Sequence, residues 1–147
     1  MESSKYIFPS GGILCVFRNK AMANNILFYS PDFKLCYSLL MYLEDKYNVT
    51  VSTNFHILKS LTKSNNFDLL IIDSEPVLKI EQLCADINNS SSSLKIILTY
   101  VYDKKMNSAE KRIRQYISKI LYKPFDLTEI SKSFPKVLKQ SDANKLQ

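Results

Sequence analysis

The chain has 147 residues, of which 46% are hydrophobic, so it is long enough to bury one core and too short for two ordinary domains. Only two glycines are present, which excludes glycine-rich phosphate loops, and the formal net charge is +6. The longest apolar stretches fall far short of the roughly 18–20 residues that span a bilayer, so we expect a water-soluble, cytoplasmic protein with no membrane partner.

The N-terminal 23 residues are predicted to be an appendage. Their basic residues, Arg18 and Lys20, follow a very short apolar patch, which is the reverse of a secretory signal. Met22 offers a second plausible start before the first strong strand, so residues 1–21 are either an appendage or a misassigned leader. Residues 24–140 are predicted to form the domain, and residues 141–147 a polar, frayed tail.

From Asn24 onward, strand and helix patterns alternate along the chain. Strands are predicted at residues 26–29, 49–53, 69–72, 95–98 and 120–122, where apolar or β-branched residues run together. Ser30 and Pro31 are predicted as the N-cap and first residue of a helix that extends through Leu43. Further helices are predicted at residues 55–63, with Asn54 as the cap, and at 80–87, 108–117 and 127–138.

Strands that alternate with helices in so short a chain favour one architecture. Right-handed crossovers lead to a parallel sheet with helices on both faces. We therefore predict an α/β fold, a doubly wound, flavodoxin-like sheet of five strands in the order 2-1-3-4-5 with five helices.

The cysteine and histidine content indicates no metal or thiol chemistry. Cys15, Cys36 and Cys84 are odd in number, widely spaced and set in apolar surroundings, which is typical of reduced core thiols in an intracellular protein. His56 has no second histidine and no paired Cys-x-x-Cys, so a zinc or Cys/His catalytic site is not predicted.

Three predicted strands lead into polar residues, in the segments LLIIDSEP (69–76), LKIILT (94–99) and KILYKPF (119–125). Asp73, Thr99 and Lys123 would therefore lie at the carboxyl ends of buried parallel strands, where open α/β sheets bind ligands. The stretch Ser30-Pro31-Asp32 would reach the same crevice from the end of the first strand.

A carboxylate, a hydroxyl and an ammonium at this edge resemble the phospho-acceptor site of receiver domains, the chemotaxis-regulator-like domains of two-component response regulators. The resemblance covers residues 24 to about 140 and is sharpest in LYKPFD (121–126). It implies that Asp73 is the phospho-acceptor, that Thr99 and Lys123 contact the phosphoryl group, and that the peptide bond before Pro124 is cis.

The same resemblance implies that the site is degenerate. Receivers hold Mg²⁺ with two acidic residues after the first strand, and a gapless alignment puts Ser30 and Pro31 there. A metal site of Asp32 and Asp73 would be weak or absent, because Mg²⁺ prefers several oxygen ligands including carboxylates. Tyr100 replaces a usually small residue, and Ile120 aligns with an aromatic residue that reorients on activation.

Residues 101–140 carry the whole net charge, with 10 Lys and Arg against 4 Asp and Glu. In receivers the corresponding surface, made by the fourth helix, fifth strand and fifth helix, is used for dimerisation and target contact. We predict an interaction face there for a protein partner. Its densest basic residues are Lys104, Lys105, Lys111, Arg112 and Arg114. A solvated basic helix without a partner is the simpler interpretation.

The sequence favours a stand-alone, atypical response-regulator receiver, not an enzyme, that signals through protein contacts with Mg²⁺-dependent phosphorylation weakened or lost. The expected partners are a histidine kinase, a phosphotransfer protein, a downstream regulator or a second copy of the chain. One alternative is a phospho-accepting receiver in a phosphorelay, with Asp32 and Asp73 as a reduced metal site. Another, ranked lower because the basic cluster has little aromatic interleaving beyond Tyr116, is a nucleic-acid-binding regulator.

Overall fold

A computed structural model describes residues 6–7, 13–16, 23–64, 66–91 and 93–139, the first two stretches as backbone only. Most of the predicted appendage and the whole predicted tail lie outside these residues. The strands are β1 Tyr6–Ile7, β2 Ile13–Val16, β3 Asn25–Tyr29, β4 Asn48–Ser52, β5 Leu69–Asp73, β6 Lys95–Val101 and β7 Lys119–Lys123. The helices are α1 Phe33–Leu43, α2 Leu58–Ser64, α3 Leu78–Ser90, α4 Asn107–Ile113 and α5 Leu127–Leu138.

The strands form one sheet in the order β1-β2-β4-β3-β5-β6-β7. Its last five members are the predicted parallel strands in the predicted order 2-1-3-4-5, so the doubly wound, flavodoxin-like prediction is confirmed. The chain divides into two compact units, residues 1–70 and 71–147.

The first unit contains two strands that the sequence pattern did not predict. β1 and β2 pair antiparallel, and β2 pairs antiparallel with β4, with Ile13 opposite Ser52 and Leu14 opposite Val51. Backbone groups on one side of β4 thereby gain hydrogen-bonding partners that an edge strand lacks. The prediction of an N-terminal appendage over residues 1–23 left its order open and named neither strand.

The start of α1 also differs from the prediction. Asp32, not Ser30, is the N-cap, since its Oδ1 accepts hydrogen bonds from the backbone N–H of Lys34 and Leu35. The hydroxyl oxygen of Ser30 instead accepts the N–H of Asp32 at 3.0 Å, and Pro31 precedes the cap. A carboxylate that reaches two free N–H groups is a strong cap, so the helix begins two residues later than predicted.

The second unit packs α3, α4 and α5 with apolar residues from the strands. Ile71, Ile96, Leu98 and Phe134 are almost fully buried. α3 runs to Ser90, beyond its predicted end at 87, whereas α4 ends at Ile113 and not at 117. α5 has the predicted bounds. None of the helices in the described part of the chain has the length and apolarity that a bilayer crossing requires.

The predicted burial of the cysteines is confirmed for Cys36 and Cys84, whose thiols are both reduced. The side chain of Cys15 lies outside the described residues. Burial, with a smaller contribution from Glu81, raises the pKa of the Cys84 thiol to about 12. This cysteine therefore stays protonated and unreactive at neutral pH.

Candidate functional site

Asp73 and Lys123 form an ion pair in the second unit. Asp73 is the last residue of β5 and is only 5% exposed, while Lys123 is the last residue of β7. Lys123 Nζ lies 2.6 Å from Asp73 Oδ1, and the lysine side chain is 30% exposed. The sheet thus brings together two of the predicted site residues, although they are 50 positions apart in the chain.

Thr99 lies within β6, which continues past it to Val101. Its carbonyl oxygen accepts the backbone N–H of Ser74, the residue after Asp73, at 3.0 Å. Its hydroxyl is fully buried and has no hydrogen-bond partner among the described residues. Most buried hydroxyls have a hydrogen-bond partner. The Thr99 hydroxyl can therefore donate a hydrogen bond to a ligand that reaches it.

The loop after β7 begins with a cis peptide bond, between Lys123 and Pro124. Asp126 then caps α5, because its carboxylate accepts the Thr128 hydroxyl and, at 2.7 Å, the Glu129 N–H. These hydrogen bonds lower the pKa of Asp126, and the bond from the Thr128 hydroxyl contributes most. The loop therefore leads directly from Lys123 into a capped helix.

Ser30, Pro31 and Asp32 belong to the first unit, and as a donor set they fit Mg²⁺ poorly. The Ser30 hydroxyl is buried and accepts the N–H of Asp32, Pro31 has no side-chain oxygen, and Oδ1 of Asp32 caps α1. In the described part of the chain, no group of three or more His, Cys, Asp or Glu side chains is arranged to hold a metal ion.

A second polar centre, which we call the Glu110 node, was missed by the sequence analysis. Glu110 lies on the buried face of α4 with Ile113. Its Oε1 accepts hydrogen bonds from Tyr122 Oη and Arg114 Nη2, both at 2.6 Å, and its Oε2 accepts one from Tyr100 Oη. The node, formed by Glu110, Tyr100, Tyr122 and Arg114, ties α4 to both β6 and β7.

The hydrogen bonds of the node shift three pKa values. Burial alone would raise the pKa of Glu110, but hydrogen bonds from Tyr100, Tyr122 and Arg114 together lower it below the usual value. Burial and then the bond to Glu110 raise the pKa of Tyr100, and the bond to Glu110 raises that of Tyr122. At neutral pH Glu110 is therefore ionised and both tyrosines are protonated.

The node predicts a pH dependence of stability. Because the folded pKa of Glu110 is lowered, its contribution is complete above the unfolded glutamate pKa and is lost as pH falls through the folded value. We expect wild type to be more stable than Glu110→Gln at pH 7, with the difference shrinking below about pH 5. Urea midpoints across pH test this, with exposed Glu75→Gln as control; a difference that stays constant with pH would contradict it.

The predicted basic residues do not form one uniform cluster. Arg112 pairs with Glu81 of α3 at 3.3 Å, and Arg114 pairs with Glu110. Lys104, Lys105 and Lys111 are exposed, and within the described residues they form no ion pair with a carboxylate. These three lysines therefore supply the positive charge that is accessible to a partner protein.

Two exposed tyrosines, Tyr102 and Tyr122, lie next to each other at the node, a feature that residue spacing did not reveal. The rings of Tyr100 and Tyr122 meet edge to face with centroids 5.7 Å apart, and those of Tyr102 and Tyr122 meet likewise at 5.4 Å. Tyr102 Oη donates to Asn107 Oδ1 at 3.2 Å. We call Tyr100, Tyr102 and Tyr122 the tyrosine row. The feature that points to this contact is the register in which β6 pairs with β7, because it puts Tyr100 opposite Tyr122.

Comparison with solved structures identifies the fold. No protein-family model and no curated protein sequence matches the chain. A response regulator from Thermotoga maritima matches with a TM-score of 0.70 and 16% identity, over 81% of this chain and 100% of that chain. A chemotaxis protein from Vibrio cholerae matches with a TM-score of 0.66 and 17% identity, over 78% and 98%.

A third match is the signal receiver domain of an HD domain-containing protein from Pseudomonas fluorescens Pf-5. Its TM-score is 0.70 at 18% identity, over 85% of this chain and 93% of that chain. At such identities the likeness establishes the fold. The chain has the receiver fold that the segments around Asp73, Thr99 and Lys123 predicted.

Proposed function

We propose that this chain is a receiver-like signalling protein of the cytoplasm, formed by residues 24–140, that acts by binding other proteins and not as an enzyme. Mg²⁺-dependent phosphorylation of Asp73 is weakened or lost. The observation that carries the proposal is the ion pair of Asp73 and Lys123, with Ser30 and Pro31 at the family's acidic positions.

The charge balance supports weak phosphorylation. Phosphoryl transfer depends on positioning and on neutralising the phosphoryl oxygens, for which Lys123 supplies one positive charge. In the receiver family, further positive charge comes from Mg²⁺, which two additional carboxylates hold. At an effective dielectric near 20, one charge pair at about 4 Å is worth about 4 kcal/mol before desolvation. Without those carboxylates, metal affinity should fall by orders of magnitude.

The accessibility of Asp73 supports the same proposal. Its carboxylate is almost completely buried and already bonded to Lys123. A phosphodonor would therefore have little access to the acceptor oxygen.

The first test is phosphorylation by acetyl phosphate. We expect little or no Mg²⁺-dependent gain of a phosphoryl group by intact-mass measurement, because the metal would not be held. Amide NMR should show no shifts at Asp73, Thr99 and Lys123 that require both Mg²⁺ and beryllofluoride. Robust labelling of Asp73 that Asp73→Asn abolishes would overturn the loss of phosphorylation.

A gain-of-function variant sharpens this test. Ser30→Asp with Pro31→Asp restores the acidic pair and should increase Mg²⁺ affinity and labelling if the pair is what is missing. The matched control is the same pair of changes with Asp73→Asn, which should not be labelled. If the restored variant stays unlabelled, the missing pair alone does not explain the loss.

The alternative is a phospho-accepting receiver in a relay with a histidine kinase or phosphotransfer protein. The hydroxyl of Thr99, which is buried and has no partner among the residues that the structure describes, favours this alternative, since a phosphoryl group on Asp73 would give it an acceptor. In that case, labelling of wild type should need Asp32 as well as Asp73. If Asp32→Asn left wild-type labelling unchanged, the proposed reduced metal site would be excluded.

A further inference from the structure

Two members of the tyrosine row, Tyr102 and Tyr122, present an aromatic surface to solvent, while Tyr100 is buried against Tyr122. Tyr102 is 52% exposed and Tyr122 is 39% exposed, and their rings touch edge to face. Large aromatic side chains at the surface contribute most to binding when they can be buried by a partner. Tyr100 is buried and supports this surface through its edge-to-face contact with Tyr122.

The Glu110 node holds this surface in one arrangement. It fixes the hydroxyl of Tyr122 and one end of the Arg114 guanidinium, while Asn107 accepts the hydroxyl of Tyr102. The Arg114 side chain is still 55% exposed. Because these side chains are already ordered, binding a partner would cost little additional conformational entropy.

The charge around the tyrosine row selects an acidic partner. Lys104, Lys105 and Lys111 are exposed without ion pairs in the described residues, and the charge of Glu110 is balanced by Arg114. Asp103, the other nearby acidic residue, accepts the Lys105 N–H at 2.9 Å as a cap. Complementary charge accelerates encounter and selects among partners.

The geometry favours a protein over a nucleic acid. Single-stranded nucleic acids are bound by rings on which successive bases stack. Here the planes of Tyr102 and Tyr122 are 82° apart, so they do not offer a series of parallel faces. Tyrosine with a fixed arginine is instead the composition of protein-binding hot spots.

We propose that Tyr102, Tyr122 and Arg114 form a preformed docking surface for an acidic segment of a partner protein that carries an aromatic side chain. This inference rests on the proposed function, because it names the class of partner that the basic face binds. The aromatic side chain packs against Tyr102 and Tyr122, and the carboxylates meet the exposed lysines Lys104, Lys105 and Lys111.

The test uses a short, fluorescein-labelled, glutamate-rich peptide with one central phenylalanine. We expect saturable binding by anisotropy and amide NMR shifts centred on Tyr102, Tyr122 and Arg114. Replacing the phenylalanine with alanine, or the glutamates with lysine, should weaken binding about tenfold or more. Tyr102→Ser and Lys104→Glu should do the same, whereas Tyr42→Ser, at a similarly exposed tyrosine on α1, should not.

Oligothymidine and duplex DNA complete the test. Tighter, salt-dependent binding of either than of the acidic peptide would overturn the proposal in favour of nucleic acid. Absence of saturable peptide binding, or equal loss in Tyr42→Ser and Tyr102→Ser, would also overturn it. Robust phosphorylation of Asp73 with unchanged peptide binding would reject the proposed loss of phosphorylation and leave the docking surface intact.

Discussion

Replacing Glu110 with alanine should lower the free energy of unfolding by about 3 kcal/mol. The carboxylate accepts three hydrogen bonds, from Tyr100, Tyr122 and Arg114. Its removal leaves the buried hydroxyl of Tyr100 without a partner and a space beneath α4. Arg114 and Tyr122 are partly exposed and can turn to water, so most of the loss comes from Tyr100. Urea unfolding at pH 7 measures the effect.

Two variants separate this explanation from a general effect of mutation. Exposed Glu75→Ala should change stability by less than about 0.5 kcal/mol. In a Tyr100→Phe background, Glu110→Ala should cost less than it does in wild type, because no buried hydroxyl is then left without a partner. Equal costs in the two backgrounds would show that Tyr100 and Glu110 are not energetically coupled.

The parallel sheet was predictable because its strands are runs of apolar or β-branched residues between polar segments. Residues 69–72 and 95–98 have almost no polar side chains, which is typical of strands buried on both faces. The N-terminal strands were not predictable in the same way. β1 has two residues, and β2 depends on pairing with β4, which is more than 30 positions away in the chain.

Local capping was predicted less well than topology. Ser30-Pro31 matches a cap and first-turn pattern, but Asp32 is an equally good cap two residues later. The choice between the two caps depends on where the Ser30 hydroxyl points. The hydroxyl oxygen of Ser30 accepts the N–H of Asp32, so Asp32 is the cap. Asn54 had no such competitor and caps the following turn as predicted, through the N–H of His56.

The candidate site was partly predictable for a geometric reason. Asp73 and Lys123 follow apolar strands, and the carboxyl ends of parallel strands meet at one edge of the sheet. The Glu110 node follows no such rule, because it joins two strands to a helix through side chains spaced 4 to 12 positions from the glutamate. In sequence, Glu110 looks like an ordinary solvated residue of a basic helix.

Replacing Lys123 with alanine should lower the free energy of unfolding by about 2 kcal/mol, a larger loss than Asp73→Asn should cause. Asp73 is nearly completely buried, so it would be left as a charge without its lysine partner. Lys123 is partly exposed and can reach water when Asp73 is neutral. The asymmetry follows because a lost partner costs most where the remaining charge is buried. Urea unfolding of both variants measures it.

A double-mutant cycle assigns this loss to the pair. Lys123→Ala in the Asp73→Asn background should cost clearly less than in wild type, because no buried carboxylate then remains. Lys119→Ala, at the other end of β7, is the matched control and should have a small effect on its own. If Lys123→Ala costs the same in both backgrounds, the lysine stabilises the unit through packing of its side-chain carbons. The ion pair with Asp73 would then make no net contribution to the stability of the unit.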